Sequence, residues 1–138
     1  MQLVVSEKPS VGSSIAKVLG AYTRKDGYIE GSGYIISWCI GHLVAPAPPE
    51  EYDDRYRRWD ILDLPIVPDV WKYQVLKGTA KQFNMLKRLM SRRDVTEIIC
   101  ATDAGREGEH IFRLVYNEAG CKKPFKRLWI SSLEEQSI

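Results

Sequence analysis

The chain has 138 residues, enough for one ordinary domain with its own core. Its 44% apolar and 28% charged residues are ordinary for a globular protein, and no repeat or low-complexity tract interrupts it. The formal net charge of +2 is too small to establish nucleic-acid binding, though it permits a locally basic surface. No apolar run is long enough to span a bilayer, so no membrane association is expected. Glu7, Lys8 and Pro9 break the first apolar run too early for a signal peptide. The three cysteines, Cys39, Cys100 and Cys121, form no CxxC or Cys/His cluster. Cys39 and Cys100 lie in apolar runs and read as buried, reduced packing residues, which implies a reducing, cytoplasmic location.

In chain order, Gln2 to Ser6 reads as a short buried strand. Glu7-Lys8-Pro9-Ser10 ends it, and Pro9 suits the first turn of a helix. Val11, Ile15, Val18 and Leu19 recur at helical spacing, and Gly20 can terminate that helix. Tyr28-Ile29-Glu30 and Tyr34 to Cys39 read as a hairpin turning at Gly31-Ser32-Gly33. Residues 44 to 75, broken by five prolines, read as irregular. Such a long loop is functional or packed against something. Thr79 to Arg93 reads as a helix with Phe83, Leu86 and Met90 on one face and a basic outer surface. Val95 to Ala101 is the next strand, and Glu107 to Glu118 a helix with Ile111, Leu114 and Val115 inside. Arg127 to Ile130 is a last strand. Helices alternating with buried strands predict an α/β fold with a mostly parallel sheet covered on both faces and an added hairpin.

The segment Thr102-Asp103-Ala104-Gly105-Arg106-Glu107-Gly108-Glu109 gathers three acids and an arginine where a strand gives way to a helix. That is the end of an open α/β sheet at which ligands bind. If the first strand and the Val95 strand are neighbours, Glu7 and Asp103 emerge at one rim and Glu107 can turn toward it. Three carboxylates so close repel, and either a divalent cation or protonation of one of them relieves the strain. The first resolution gives a Mg²⁺ site, and the second a general acid or base. Lys8 and Arg106 suit a phosphate, or else balance the carboxylates. Glu109 is open between water-mediated metal ligation and a hold on Arg106. His42, a lone histidine between Gly41 and Leu43, makes a packing or site contact, and His110 lies on a helix surface. Gly105 is expected to supply a bend and a close backbone approach. The aromatic and basic residues from Tyr52 to Trp59 either stack on bases or anchor the long loop. Ser131 and Ser132 cap a following helix or contact a phosphate, capping being the simpler reading.

The strand ending in Glu7-Lys8-Pro9-Ser10, followed about a hundred residues on by Thr102 to Glu109, resembles the Toprim domain. Within that family it is similar to the N-terminal Toprim domain of type IA DNA topoisomerases, in the bacterial topoisomerase III branch. Gly41-His42-Leu43 and Arg127-Leu128-Trp129-Ile130-Ser131-Ser132-Leu133 sit where that branch has similar segments. The resemblance implies a Rossmann-type Toprim fold with a mostly parallel, four-stranded sheet. It implies that Glu7 is a general acid/base near the scissile phosphate. It implies that Glu7, Asp103 and Glu107 hold Mg²⁺, and that Lys8 and Arg106 contact the DNA phosphate. The family's second aspartate falls on Gly105, so one carboxylate is missing.

Members of that family are several times longer, and their nucleophile is a tyrosine in a separate domain. The intact enzyme cleaves and reseals single DNA strands through a 5′-phosphotyrosine without ATP, relaxing or decatenating DNA. Nothing in the chain matches the tyrosine motif. Residues 1–132 are therefore expected to be the Toprim domain and 133–138 the truncated start of the next. Its partners would be a single-stranded region of DNA and the remaining domains of the same polypeptide, and alone it would be inactive. The rival readings are a metal-dependent Toprim nuclease or primase-like domain, and a non-enzymatic nucleic-acid-binding module.

Overall fold

Leu3, Val4 and Val5 form an uninterrupted apolar run, which suits a strand buried on both faces. In the computed structural model, which describes residues 1–138, this run is the central strand β1 (Gln2–Ser6). Parallel strands flank it on both sides: β4 (Tyr34–Trp38) and β7 (Glu97–Ala101). Beyond β7 lies β8 (Phe125–Arg127), also parallel. Beyond β4 lie β3 (Tyr28–Gly31) and β2 (Thr23–Lys25), each antiparallel to its neighbour. The sheet order is β2-β3-β4-β1-β7-β8. The expected parallel core of four strands is present, and the hairpin joins it as an antiparallel extension that includes the additional strand β2.

Side chains alternate between the two faces, so β1 feeds two separate cores. Val4, Ile36, Ile29 and Ala101 pack against Ile15 and Ala16 of α1 (Pro9–Val18) on one face. Leu3, Val5, Ile35, Ile98 and Cys100 face α2 (Ala80–Ser91) and α3 (Arg106–Glu118) on the other. Phe83, Leu86, Leu89 and Met90 come from α2, and Ile111, Phe112, Leu114 and Val115 from α3. The two helix stripes read from periodicity are the ones buried. Cys39 and Cys100 are free and buried. Burial, with smaller contributions from Cys100 and Glu7, pushes the Cys39 thiol up to about 12.

The structure departs from the expected elements in three places. The last strand is Phe125–Arg127, so Leu128, Trp129 and Ile130 leave the sheet instead of extending it. The segment 44–75 is not wholly irregular. Its ends pair as β5 (Val44–Pro46) and β6 (Tyr73–Val75), a small separate antiparallel sheet, and three short 3-10 turns lie between them. This neck is extended by the Leu76 N–H on the Leu43 carbonyl at 2.9 Å and the Ala47 N–H on the Lys72 carbonyl at 2.8 Å. β2, with all three residues exposed, is held by backbone pairing rather than by burial. No helix is long and apolar enough to cross a membrane.

Leu114 is 8% exposed within the larger core, so Leu114→Ala should cost about 2–5 kcal/mol in a urea titration. A loss well under 1 kcal/mol would place that side chain outside the packed interior.

Candidate active site

Register places the site. Ser6 lies opposite Trp38 on one side and Ala101 on the other, so the three central strands end on one row. Glu7 follows β1 and Asp103 follows β7 at the same rim. Glu7 Oε2 accepts a hydrogen bond from the Asp103 backbone N–H at 3.2 Å. The expected adjacency of the two strands is thus present, and with it the meeting of two acidic segments 96 residues apart.

The β1–α1 turn is held from within. The buried Ser6 hydroxyl donates to the Lys8 carbonyl at 3.0 Å, and the Ser6 carbonyl accepts the Cys39 N–H at 2.8 Å. Gly12 lets α1 close onto this turn, because a Cβ there would sit 3.0 Å from both Ser6 Oγ and the Trp38 ring. Lys8, the residue before α1, is exposed.

The β7–α3 loop corrects one expectation. Gly105 has an extended backbone (φ −146°, ψ 175°), and nothing lies within 4 Å of where its Cβ would be. Neither a special conformation nor a close approach requires glycine there. The close approach falls at Gly108, where a Cβ would lie 2.2 Å from the Asp103 carbonyl oxygen and 2.8 Å from its nitrogen. The first turn of α3 packs directly onto the Asp103 peptide, and only hydrogen fits between them.

The acids of α3 face different partners. Glu107 Oε1 lies 3.7 Å from His42 Nε2, with the carboxylate largely exposed. The rings of His42 and His110 meet edge to face, 6.0 Å apart. His42 therefore contacts the site through Glu107, and His110, though on the helix surface, packs beside it. Glu109 pairs with Arg127 and with Arg113 at 2.7 Å, rather than with Arg106. The Arg127 guanidinium first, and Arg113 second, hold the Glu109 carboxyl below the ordinary carboxylate range.

Arg127 is the residue that sequence reasoning missed. It lies at the end of β8, opposite Cys100, and reaches past the end of β7. Its guanidinium donates to the Thr102 carbonyl, to Thr102 Oγ1 at 3.2 Å and to Glu109 Oε2. One side chain thus ties the edge strand to both ends of the acidic loop. The sequence marked it only as the head of an apolar run within a segment similar to the family's, not as a site residue.

No three His, Cys, Asp or Glu side chains are grouped closely enough to hold a metal together. Glu7 and Asp103 share the rim, and Glu107 stands apart at His42. The donor chemistry nevertheless fits Mg²⁺, a hard cation that takes one or two carboxylates and keeps several waters.

Asp103 also lines a cleft of about 400 Å³ with Val11, Trp129, Ser131 and Ser132. Ser132 Oγ accepts the Glu134 N–H at 3.1 Å in a turn, and no helix follows for it to cap as expected. In the long loop, Arg57 pairs with Asp54 at 3.1 Å, and Arg55 lies near Asp53 and Asp63 and stacks on Tyr56. Tyr52 is fixed by the backbone of Lys72. These arginines are balanced inside the loop, which favours anchoring over nucleic-acid stacking there.

Two outcomes are expected. Gly108→Ala should destabilise the chain by about 1–3 kcal/mol, whereas Gly105→Ala should be nearly neutral, as judged from unfolding midpoints. Arg127→Met should lower stability in a pH-dependent way. The depressed Glu109 pKa contributes stability above the unfolded value of about 4.3, which is lost as pH falls through the folded value. The gap between parent and variant should therefore be widest near neutral pH and narrow in acid. A gap that is flat with pH would show that the Thr102 bonds alone account for it.

The Toprim domain profile matches residues 2–133. A protein of Bacillus thuringiensis (strain Al Hakam) named DNA topoisomerase 3 is 50% identical over 136 residues, covering 99% of this chain and 19% of the relative. Proteins of the same name from Shouchella clausii and Staphylococcus epidermidis are 50% and 49% identical, over 98% and 99% of the chain. The chain spans 19% of the length of the first of these curated relatives. With a matching profile from β1 through the segment after β8, on a parallel sheet that brings Glu7 to the Asp103 loop, the chain belongs to the Toprim domain family.

Proposed function

We propose that the chain is the Mg²⁺-binding half of a type IA DNA topoisomerase active site, of the topoisomerase III kind. In this reading residues 1–132 are the Toprim domain, and 133–138 lead into a further domain of the same polypeptide. That polypeptide cleaves one DNA strand, passes another and reseals the break. A tyrosine supplied by another domain carries the 5′-phosphate in the interval. The tyrosyl ester conserves the phosphodiester's bond energy, so ATP is not used. A cytoplasmic location follows from this activity.

The single observation that supports this reading most is the Glu7 carboxylate on the Asp103 amide at the shared rim of β1 and β7. Glu7, Asp103 and Glu107 are the residues that would hold Mg²⁺. When bound, the cation supplies positive charge for the phosphate oxygens and orients the strand to be cut. Glu7, half-buried at the strand end, is placed to move a proton at the leaving or attacking oxygen. Lys8 and Arg106, both exposed beside the acids, bind the phosphate from either side of the rim.

The test is a calorimetric titration of this chain with Mg²⁺. Loss of an outer-shell partner alone weakens metal binding roughly 10–100-fold, so Asp103→Ala should weaken it by at least about tenfold. Gly105→Asp should tighten it, since the backbone and the open space at residue 105 accept a side chain. Equal heats for parent and Asp103→Ala would favour a non-enzymatic nucleic-acid-binding module instead.

A further inference from the structure

Trp129 follows β8 and is 77% exposed, a large aromatic surface beside the candidate site. The two residues before it are anchored. Arg127 is clamped to Thr102 and Glu109, and the Leu128 N–H donates to the Cys100 carbonyl at 2.9 Å. The ring stands between two clefts that meet at Ala104. One, of about 400 Å³, carries Asp103 and Ser131; the other, of about 470 Å³, carries Arg106 and Arg127.

The charges around the ring are unequal. Arg106 has Glu107 and Glu109 as sequence neighbours, but these are turned to His42 and to Arg113 and Arg127. Its exposed guanidinium is thus left facing the cleft that Trp129 lines. Trp59 and Trp71 are also exposed, but they sit on the long loop after β5, where Arg55 and Arg57 are paired with carboxylates, and neither lines a cleft with Asp103. Trp38 is half-buried against Gly12. Among the exposed tryptophans, Trp129 is the one that shares a cleft with Asp103, and it shares a second with Arg106.

An aromatic face next to a phosphate-binding cation matches a nucleotide, whose base stacks while its phosphate is held. A base that stacks on a side chain must be free of its neighbours in a duplex, which selects single strands. We propose that Trp129 and Arg106 form a single-nucleotide subsite for single-stranded DNA, with the base on the indole and the adjoining phosphate on the guanidinium. This rests on the DNA-processing reading above and adds to it the group that grips a base beside the reacting phosphate. The grip is indifferent to base identity, because every base presents a π-face.

The experiment is fluorescence anisotropy of the chain with labelled oligodeoxythymidylate and with an abasic strand of equal length, at low salt with EDTA. The parent should prefer the base-bearing strand. Trp129→Ala should lose roughly tenfold toward that strand and little toward the abasic one. Trp129→Phe should keep most of the affinity, and Trp59→Ala should match the parent. Trp129→Ala binding both strands as the parent does, or losing equally on both, would overturn the subsite. Equal binding of both strands by the parent would also overturn it, while leaving DNA binding intact. A parent that binds neither strand would overturn the subsite and the DNA-processing reading together.

Discussion

Ser6 sits opposite Ala101 in the β1–β7 ladder, and everything at the rim follows from that register. A slip of one residue would turn each β1 side chain to the other face of the sheet. Leu3 and Val5 would exchange cores with Val4, and the slip would undo the packing of both clusters at once. Burial on two faces therefore fixes the register far more firmly than the hydrogen bonds at the strand ends could. Glu7 and Asp103 inherit their proximity from this packing. Their contact is a consequence of the core rather than a bond that has to hold itself together.

The acidic loop is fixed by a different means. Gly108 brings the first turn of α3 against the Asp103 peptide, and Arg127 holds the Thr102 end and Glu109 from across the sheet. Each device joins the start of the loop to the first turn of α3. Between them, Gly105 is free of both, which explains why its backbone is ordinary and its surroundings open. Position 105 is thus one where a side chain is sterically welcome, and glycine there does not serve the backbone.

The sequence carried much of this and missed the rest for definable reasons. β1, α1, β4, β7 and α3 were legible because their apolar residues repeat at the spacing of a buried strand or a one-sided helix. β2, β5 and β6 were not, because they are three residues each, too short to show a period, and β2 buries nothing. The β8 boundary moved because Leu128 to Ile130 are as apolar as strand residues but leave the sheet after Arg127. The paired motifs at residues 7–10 and 102–109 identified the rim and the family. The different jobs of Gly105 and Gly108 were not readable, since both look like loop glycines until α3 is seen to fold onto Asp103. Arg127 was hidden among twenty lysines and arginines.

The separation of Glu107 from the other two acids has a definite energetic scale. Its contact with His42 is solvent-exposed and 3.7 Å long, and even a charged pair so exposed is worth no more than about 1 kcal/mol. The start of α3 is held by an interpenetrating backbone contact and a clamped arginine, which is far harder to shift. Any change of partner at Glu107 is therefore a side-chain rotation on a stationary helix, opposed by little. Glu109 is the contrary case, since two guanidiniums hold it and its carboxyl is correspondingly acidified. Two carboxylates separated by one residue thus differ in kind: Glu109 is committed to fixing the loop, and Glu107 is held only by an exposed contact.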